Sequence, residues 1–140
     1  MMIGRINHIG IATKDVEKEA ANWATLYGAI DAQDAFDLPE QGVRVKFINL
    51  PNGQLELIAP LGENSPITKF LERNPSGGQH HICFEVEDIT IARDDMISRG
   101  AKVLGNGSPR IGAHGVPVIF IHPANSGGVL VELMQQPKES

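Results

Sequence analysis

Two histidines and two glutamates stand at matching places in the two halves of this chain. His8 and His81, 73 residues apart, each open a short apolar stretch, and Glu56 and Glu132 each lie between two aliphatic residues near the end of a half. If the halves pack symmetrically, two imidazoles and two carboxylates converge. Such a set without a thiolate suits Co, Ni, Mn, Zn or Fe(II). The pattern predicts a metal centre, and a fifth or sixth coordination position left open would permit Lewis-acid catalysis.

The same offset relates other parts of the two halves. It matches Val16 with Ile89, Trp23 with Met96, and Phe47-Ile48 with Phe120-Ile121. The glutamates are 76 residues apart because the second half is three residues longer at its last turn. Self-similarity at a fixed period indicates one structural unit used twice.

Each candidate ligand has a simpler explanation. A glutamate between aliphatic residues can lie on the wet face of a half-buried strand, and glutamate is rarely buried. The repeat favours the other alternative, because both halves hold His in their first strand and Glu in their last. His80 and His81 are adjacent and point to opposite faces of a strand, so only one can be a ligand. Alignment with His8 selects His81.

Composition excludes several classes of protein. The chain of 140 residues has a net charge of −5, which argues against nucleic-acid binding. It has no apolar run of the roughly 20 residues that a membrane span needs and no signal-peptide pattern, so a cytoplasmic location is expected. Cys83 is the only cysteine and lies in an apolar strand, which indicates a core residue rather than a nucleophile.

Each half has the pattern of a strand, a helix and a meander of strands. The helix over 15–27 is predicted from Val16, Ala20, Trp23 and Tyr27, which share one helical face. The predicted elements are strand 6–12, helix 15–27, strands 41–50 and 54–59, helix 65–74, strand 79–86, helix 88–99, and strands near 101–105, 116–122 and 129–135.

A half of this size cannot bury its own sheet face, so the halves should pair. The sequence therefore predicts one α+β domain over residues 1–140, built of two tandem βαβββ modules that form a cup-shaped mixed sheet around the metal site. Module 1 covers about 4–62, the connector helix about 65–74, and module 2 about 78–136.

With this pattern established, the chain resembles the vicinal oxygen chelate superfamily (glyoxalases, bleomycin resistance proteins and dioxygenases), and within it the methylmalonyl-CoA epimerases. The resembling stretches span nearly the whole chain: Asn7-His8-Ile9-Gly10-Ile11-Ala12, Pro39 to Val43, Pro60-Leu61-Gly62-Glu63-Asn64-Ser65-Pro66-Ile67, His80-His81-Ile82, Gly112-Ala113-His114-Gly115, and His122-Pro123 with Gly127 to Leu133.

The resemblance implies a metal-dependent 1,1-proton transfer on an acyl-CoA and a homodimer. It places the ligands on His8, Glu56, His81 and Glu132. For such a reaction Glu132 is expected to take one proton-transfer role and Glu56 the other, and the alternative for Glu56 is a ligand with no proton role, because a metal-bound carboxylate is a weakened base. A glutamate proposed as a base in some members would fall on Val45, so the second base stays open. Arg5, Lys46 and Arg110 are candidates, by position, for contacts with the CoA phosphates.

Three other functions use the same scaffold. A glyoxalase-I-type lyase also moves a proton at a metal, and the His/Glu/His/Glu set is compatible with it. An extradiol dioxygenase holds Fe(II) on two His and one Glu, but those chains are commonly longer. A drug-binding resistance protein has no need of a full ligand set, whereas all four positions are filled here.

Overall fold

A computed structural model describes residues 2–137, and its contacts divide the chain into two compact units. The N-terminal unit runs from His8 to His80. The C-terminal unit combines the residues up to Asn7 with the chain from His81 onward. The borders fall inside two strands, β1 (Ile6–Ala12) and β5 (Gly78–Val86).

The N-terminal unit is a mixed sheet with helices. Its elements after β1 are α1 (Val16–Tyr27), β2 (Phe36–Leu38), β3 (Val43–Leu50), β4 (Gly53–Pro60) and α2 (Pro66–Arg73). The strand order is β2-β3-β4-β1, with β1 parallel to β4 and the other pairs antiparallel. A two-residue connection joins β3 to β4, and Asn52-Gly53 is a common sequence signal for such a hairpin.

Helix α1 fixes which way β4 faces. Asp15 caps the helix by accepting from the backbone N–H groups of Glu17 and Lys18. Its buried residues Val16 and Ala20 pack in one cluster with Leu55 and Leu57 of β4. Neighbouring strand residues point to opposite faces of a sheet. Glu56, which lies between these two leucines, must therefore point away from the helix.

The C-terminal unit repeats this plan. Its elements after β5 are α3 (Ile89–Ser98), β6 (Arg110–Ile111), β7 (Pro117–Ile121) and β8 (Val131–Gln135). The strand order is β5-β8-β7-β6, and β5 is parallel to β8. Ile89 and Ala92 of α3 pack with Leu133 of β8. The prediction of an α+β fold made of two similar modules with mixed sheets is confirmed.

The helices among residues 2–137 are short. They have 12, 8 and 10 residues in chain order. The predicted connector helix is confirmed as α2, where the Ser65 hydroxyl accepts from the N–H of Ile67. None of these helices is long and apolar enough to cross a bilayer.

The structure differs from the prediction at three places. The strand near 101–105 reduces to a single bridge between Val103 and Ile121, because Gly105 and Gly107 take positive φ and turn the chain. Strands β2 and β6 are absent from the prediction, since three and two residues are too short to show a period. Tyr27 is predicted on the helix face of Val16, but it is 69% exposed because it ends the helix.

Candidate active site

The first His–Glu pair is built by the parallel strands β1 and β4. Gly10 lies opposite Glu56 in their register, and His8 shares a strand face with Gly10. The Nε2 of His8 lies 3.7 Å from Oε1 of Glu56. Both side chains are buried, with His8 2% and Glu56 6% exposed.

The second pair has the same construction on β5 and β8. Cys83 lies opposite Glu132, and His81 shares a strand face with Cys83. The Nε2 of His81 lies 3.2 Å from Oε1 of Glu132, and both residues are buried. The repeat seen in the sequence is therefore a repeat of strand register, with each His two residues before the partner of its Glu.

A phenylalanine flanks each pair at the same point. Phe47 lies opposite Glu56 in the β3–β4 register, and Phe120 lies opposite Glu132 in the β7–β8 register. Their rings meet the edges of His8 and His81 with centroids 6.0 and 5.9 Å apart. An apolar ring beside each carboxylate lowers the local dielectric, which strengthens the electrostatic interactions there.

The alternative in which Glu56 and Glu132 point to solvent is wrong, because both are buried. The helices explain this, since Leu55, Leu57 and Leu133 occupy the helix-facing positions. A buried carboxylate must be paired or bound to a metal. Each unit offers one imidazole nitrogen and one carboxylate oxygen close together, a donor type that fits a divalent ion.

The structure separates the two adjacent histidines. His81 contacts Glu132, whereas the half-buried His80 meets the ring of Phe70 edge-on at 5.2 Å. The interpretation of Cys83 as a core residue is confirmed, since its side chain is fully buried.

A tight turn lies against Glu132. Gly112 donates to the carbonyl of Val116, and Gly115 donates to the carbonyl of Gly112. A Cβ at Gly112 would lie 2.9 Å from Cγ1 of Val118 and 3.6 Å from Oε2 of Glu132. The glycine therefore lets the turn pack closely on Val118, next to the carboxylate of Glu132, which the sequence did not predict because only the fold shows that contact.

We expect Gly112→Ala to lower the rate of any reaction that uses Glu132. The new methyl group would overlap Val118, so the turn at Gly112 must shift beside the carboxylate of Glu132, which the methyl group would touch at van der Waals distance. A displacement of about 1 Å in a reacting group costs about 100-fold in rate, and a smaller shift costs less. The measurement is kcat with the substrate proposed below, together with thermal unfolding.

The double variant Gly112→Ala/Val118→Ala is the control, because it removes the Val118 atoms that the methyl group would meet. We expect it to be more active than the single variant. A single variant with the activity of the parent chain would show that the close approach has no role.

Sequence reasoning also missed a third buried carboxylate. Glu85, on the same face of β5 as His81 and Cys83 by alternation, accepts from Nδ2 of Asn7 at 2.9 Å and lies 3.8 Å from Nη1 of Arg5. Its position between Phe84 and Val86 was the available signal. Arg5 is therefore in an ion pair with Glu85. Lys46, a second candidate for contact with the CoA phosphates, is also in an ion pair, since its Nζ lies 3.3 Å from Oε1 of Glu17.

Comparison with known proteins gives a consistent result. The profile of the Glyoxalase/Bleomycin resistance protein/Dioxygenase superfamily matches residues 7–120. An ethylmalonyl-CoA/methylmalonyl-CoA epimerase of Cereibacter sphaeroides is 56% identical over 96% of this chain and 99% of its own length. A mitochondrial methylmalonyl-CoA epimerase of Homo sapiens is 50% identical over 95% of this chain and 74% of its own length.

A solved structure shows the same fold with a ligand. A variant of a Streptomyces coelicolor methylmalonyl-CoA epimerase, in complex with 2-nitronate-propionyl-CoA, matches with a TM-score of 0.90. It is 32% identical, and the match covers 99% of both chains. The similarity therefore extends over the strands and turns that carry both His–Glu pairs.

Proposed function

The chain belongs to the methylmalonyl-CoA epimerase family of the glyoxalase/bleomycin resistance/dioxygenase superfamily, and we infer from this that it interconverts (R)- and (S)-methylmalonyl-CoA. The structural observation that carries the proposal is the duplicated pair of a buried histidine and a buried glutamate, one pair in each unit.

The reaction needs a base for one carbon-bound proton. The α-carbon of methylmalonyl-CoA lies between a carboxylate and a thioester, so loss of its proton gives an enolate. We assign Glu132 to one of the two proton transfers, since it is buried, contacts His81, and has the turn at Gly112 against it. Removal of the proton from one face and its return to the other inverts the centre.

Glu56 is the proposed group for the opposite transfer. It matches Glu132 in register, burial and contact with a histidine. Val45, at the position where some relatives have a glutamate, is a buried apolar residue and cannot take this role. Glu56 can alternatively act as a ligand only, because a metal-bound carboxylate is a weakened base.

The proposed ligands of the metal are His8, Glu56, His81 and Glu132. A divalent ion bound there would supply Lewis-acid stabilisation of the negative charge that develops on the substrate oxygens. Co, Ni, Mn and Zn all suit imidazole and carboxylate donors. The contribution of the protein itself is to hold the two imidazoles and two carboxylates on rigid strands, which fixes their orientation before the substrate binds.

The test follows the proton directly. The metal-loaded protein is incubated with methylmalonyl-CoA in deuterated water, and incorporation of deuterium at the α-carbon is measured by mass spectrometry. We expect exchange well above that of the metal alone, and no exchange would refute the proposal. Ethylmalonyl-CoA belongs in the same assay, because the name of the Cereibacter relative includes it.

The same assay separates the other functions. A glyoxalase-I-type lyase would act on a thiohemiacetal instead, and a dioxygenase would consume oxygen. A drug-binding protein of this fold would catalyse none of these reactions. The relatives with epimerase names make the epimerase the best supported of the four.

We also propose a homodimer located in the cytoplasm. The support for the dimer is that β6 ends the strand order of its unit, and an exposed strand edge favours association. Light scattering of the purified protein measures the mass directly.

A further inference from the structure

We propose that Arg110 binds a phosphate group of the coenzyme A portion of the substrate. The inference rests on the proposed function, and it assigns a specificity residue that the four-ligand site does not include. The sequence contains three candidates for this contact, which are Arg5, Lys46 and Arg110. Arg5 and Lys46 are each in an ion pair, with Glu85 and Glu17 respectively. The side chain of Arg110 forms no hydrogen bond or ion pair with any residue in the range 2–137.

The strand register places Arg110 on the face of Glu132. Arg110 lies opposite Val118, and Val118 lies opposite Met134. Directly paired residues point to the same side of a sheet. Met134 and Glu132 are two positions apart on β8 and therefore also share a face. Arg110 thus lies on the same face as Glu132, two strands away.

The spacing suits a substrate with a long arm. Two strand spacings and one two-residue step put the Cα atoms of Arg110 and Glu132 about 12 Å apart. In an acyl-CoA the pantetheine arm separates the thioester from the phosphates. A phosphate contact is therefore expected at a distance from the reacting carbon, at the edge of the unit, where β6 lies.

The charges on this face point to the same ligand. The strand positions on this face that the structure describes in the C-terminal unit include the buried carboxylates Glu85 and Glu132, and Arg110 is the only lysine or arginine among them. A polyanion that approaches this face needs a compensating cation. The guanidinium group suits it, because its planar array of donors binds phosphate oxygens in pairs.

Comparison of the two halves shows that this charge is specific to one of them. In the N-terminal unit Phe36 takes the register position of Arg110, because it lies opposite Val45 as Arg110 lies opposite Val118, and the two valines are 73 residues apart. An apolar residue in one unit and an arginine in the other mean that only the C-terminal unit has a cation at this structural position. The proposal therefore also states that the coenzyme A portion extends over the C-terminal unit.

The position of Arg110 is well defined because the chain on both sides of it is restrained. Pro109 precedes it, and a proline ring fixes its own backbone φ. Gly112, two residues later, packs against Val118 and Glu132. The guanidinium group is thus carried by an ordered strand beside the carboxylate that we assign to catalysis.

The test compares Arg110→Gln on two substrates, methylmalonyl-CoA and methylmalonyl-pantetheine, of which the second has no phosphate. We expect KM for the CoA ester to rise roughly tenfold or more, as for the loss of a hydrogen bond to a charged group, with little change in kcat. On the pantetheine ester, the variant and the parent should have the same KM. Arg44→Gln, which removes an arginine already paired with Asp37, should leave both values unchanged.

Equal effects of Arg110→Gln on both esters, or no effect on either, would overturn the proposal. Calorimetric titration with free coenzyme A gives an independent result, because it needs no turnover: binding should weaken in Arg110→Gln and not in Arg44→Gln. If the parent chain exchanged deuterium in neither ester, the epimerase function would be refuted. If the parent chain and Arg110→Gln bound free coenzyme A equally, the role of Arg110 would be refuted.

Discussion

Replacement of Glu132 by glutamine should lower deuterium exchange into methylmalonyl-CoA by about 100- to 10,000-fold, the usual contribution of a positioned acid or base. Glutamine keeps the shape of the side chain and can still accept a hydrogen bond, but it cannot take up a proton. The fold should survive, because His81 and Phe120 keep a polar neighbour of similar volume. Exchange rates and far-UV circular dichroism are measured on the same preparations.

The matched control for this variant is Glu85→Gln. Glu85 is a buried glutamate of the same unit, but it contacts Asn7 and Arg5 where Glu132 contacts a histidine. We expect it to lose some stability and little activity. Exchange that is undiminished in Glu132→Gln, under saturating metal, would remove Glu132 from the mechanism.

A second large effect is expected from His81→Gln. Mutation of a residue that hydrogen-bonds to a metal ligand lowers metal affinity about 10- to 100-fold. Loss of a direct ligand should therefore lower metal affinity by at least about 100-fold. Activity should fall in parallel at limiting metal. Metal content after dialysis, and the visible spectrum of the cobalt-loaded protein, measure the change without reference to catalysis.

His80→Gln is the control, because it changes the adjacent residue on the opposite strand face. His80 contacts Phe70, and we expect its variant to bind the metal as the parent chain does. If the two variants lost metal equally, or if only His80→Gln did, the choice of His81 as the ligand would be wrong.

The repeat is what made the candidate site predictable. A single glutamate such as Glu56 between two leucines is ambiguous, because alternation alone does not say which strand face is covered. The second copy, with its histidine and glutamate at matching positions, resolves this. In the structure both glutamates are buried, and each lies near the histidine of its own unit. The helix starts were also readable, because Ser65 stands before Pro66, and Thr13 and Asp15 were both possible caps of α1; Asp15 and Ser65 are the residues that accept from the N–H groups of their helices.

Other features depend on contacts between residues far apart in the chain. The approach of Gly112 to Glu132 joins a turn with a strand 20 residues later, and no local pattern encodes it. The ion pair of Lys46 with Glu17 likewise forms only when β3 packs on α1. Short edge strands such as β6 have too few residues to show alternation, so their pairing follows from the rest of the sheet.

The turns that follow β2 and β6 show what duplication allowed. Gly42 and Gly115, 73 positions apart, both have positive φ, at 68° and 75°, so the turn itself is present twice. The residues around it have diverged, with Pro39 in one half where Gly112 stands in the other. An ancestor of half this length, paired with an identical copy, would have carried every such change on both sides. One gene that encodes both halves removes that constraint, and it suits a reaction whose proton chemistry is nearly symmetric while its substrate has one very unequal tail.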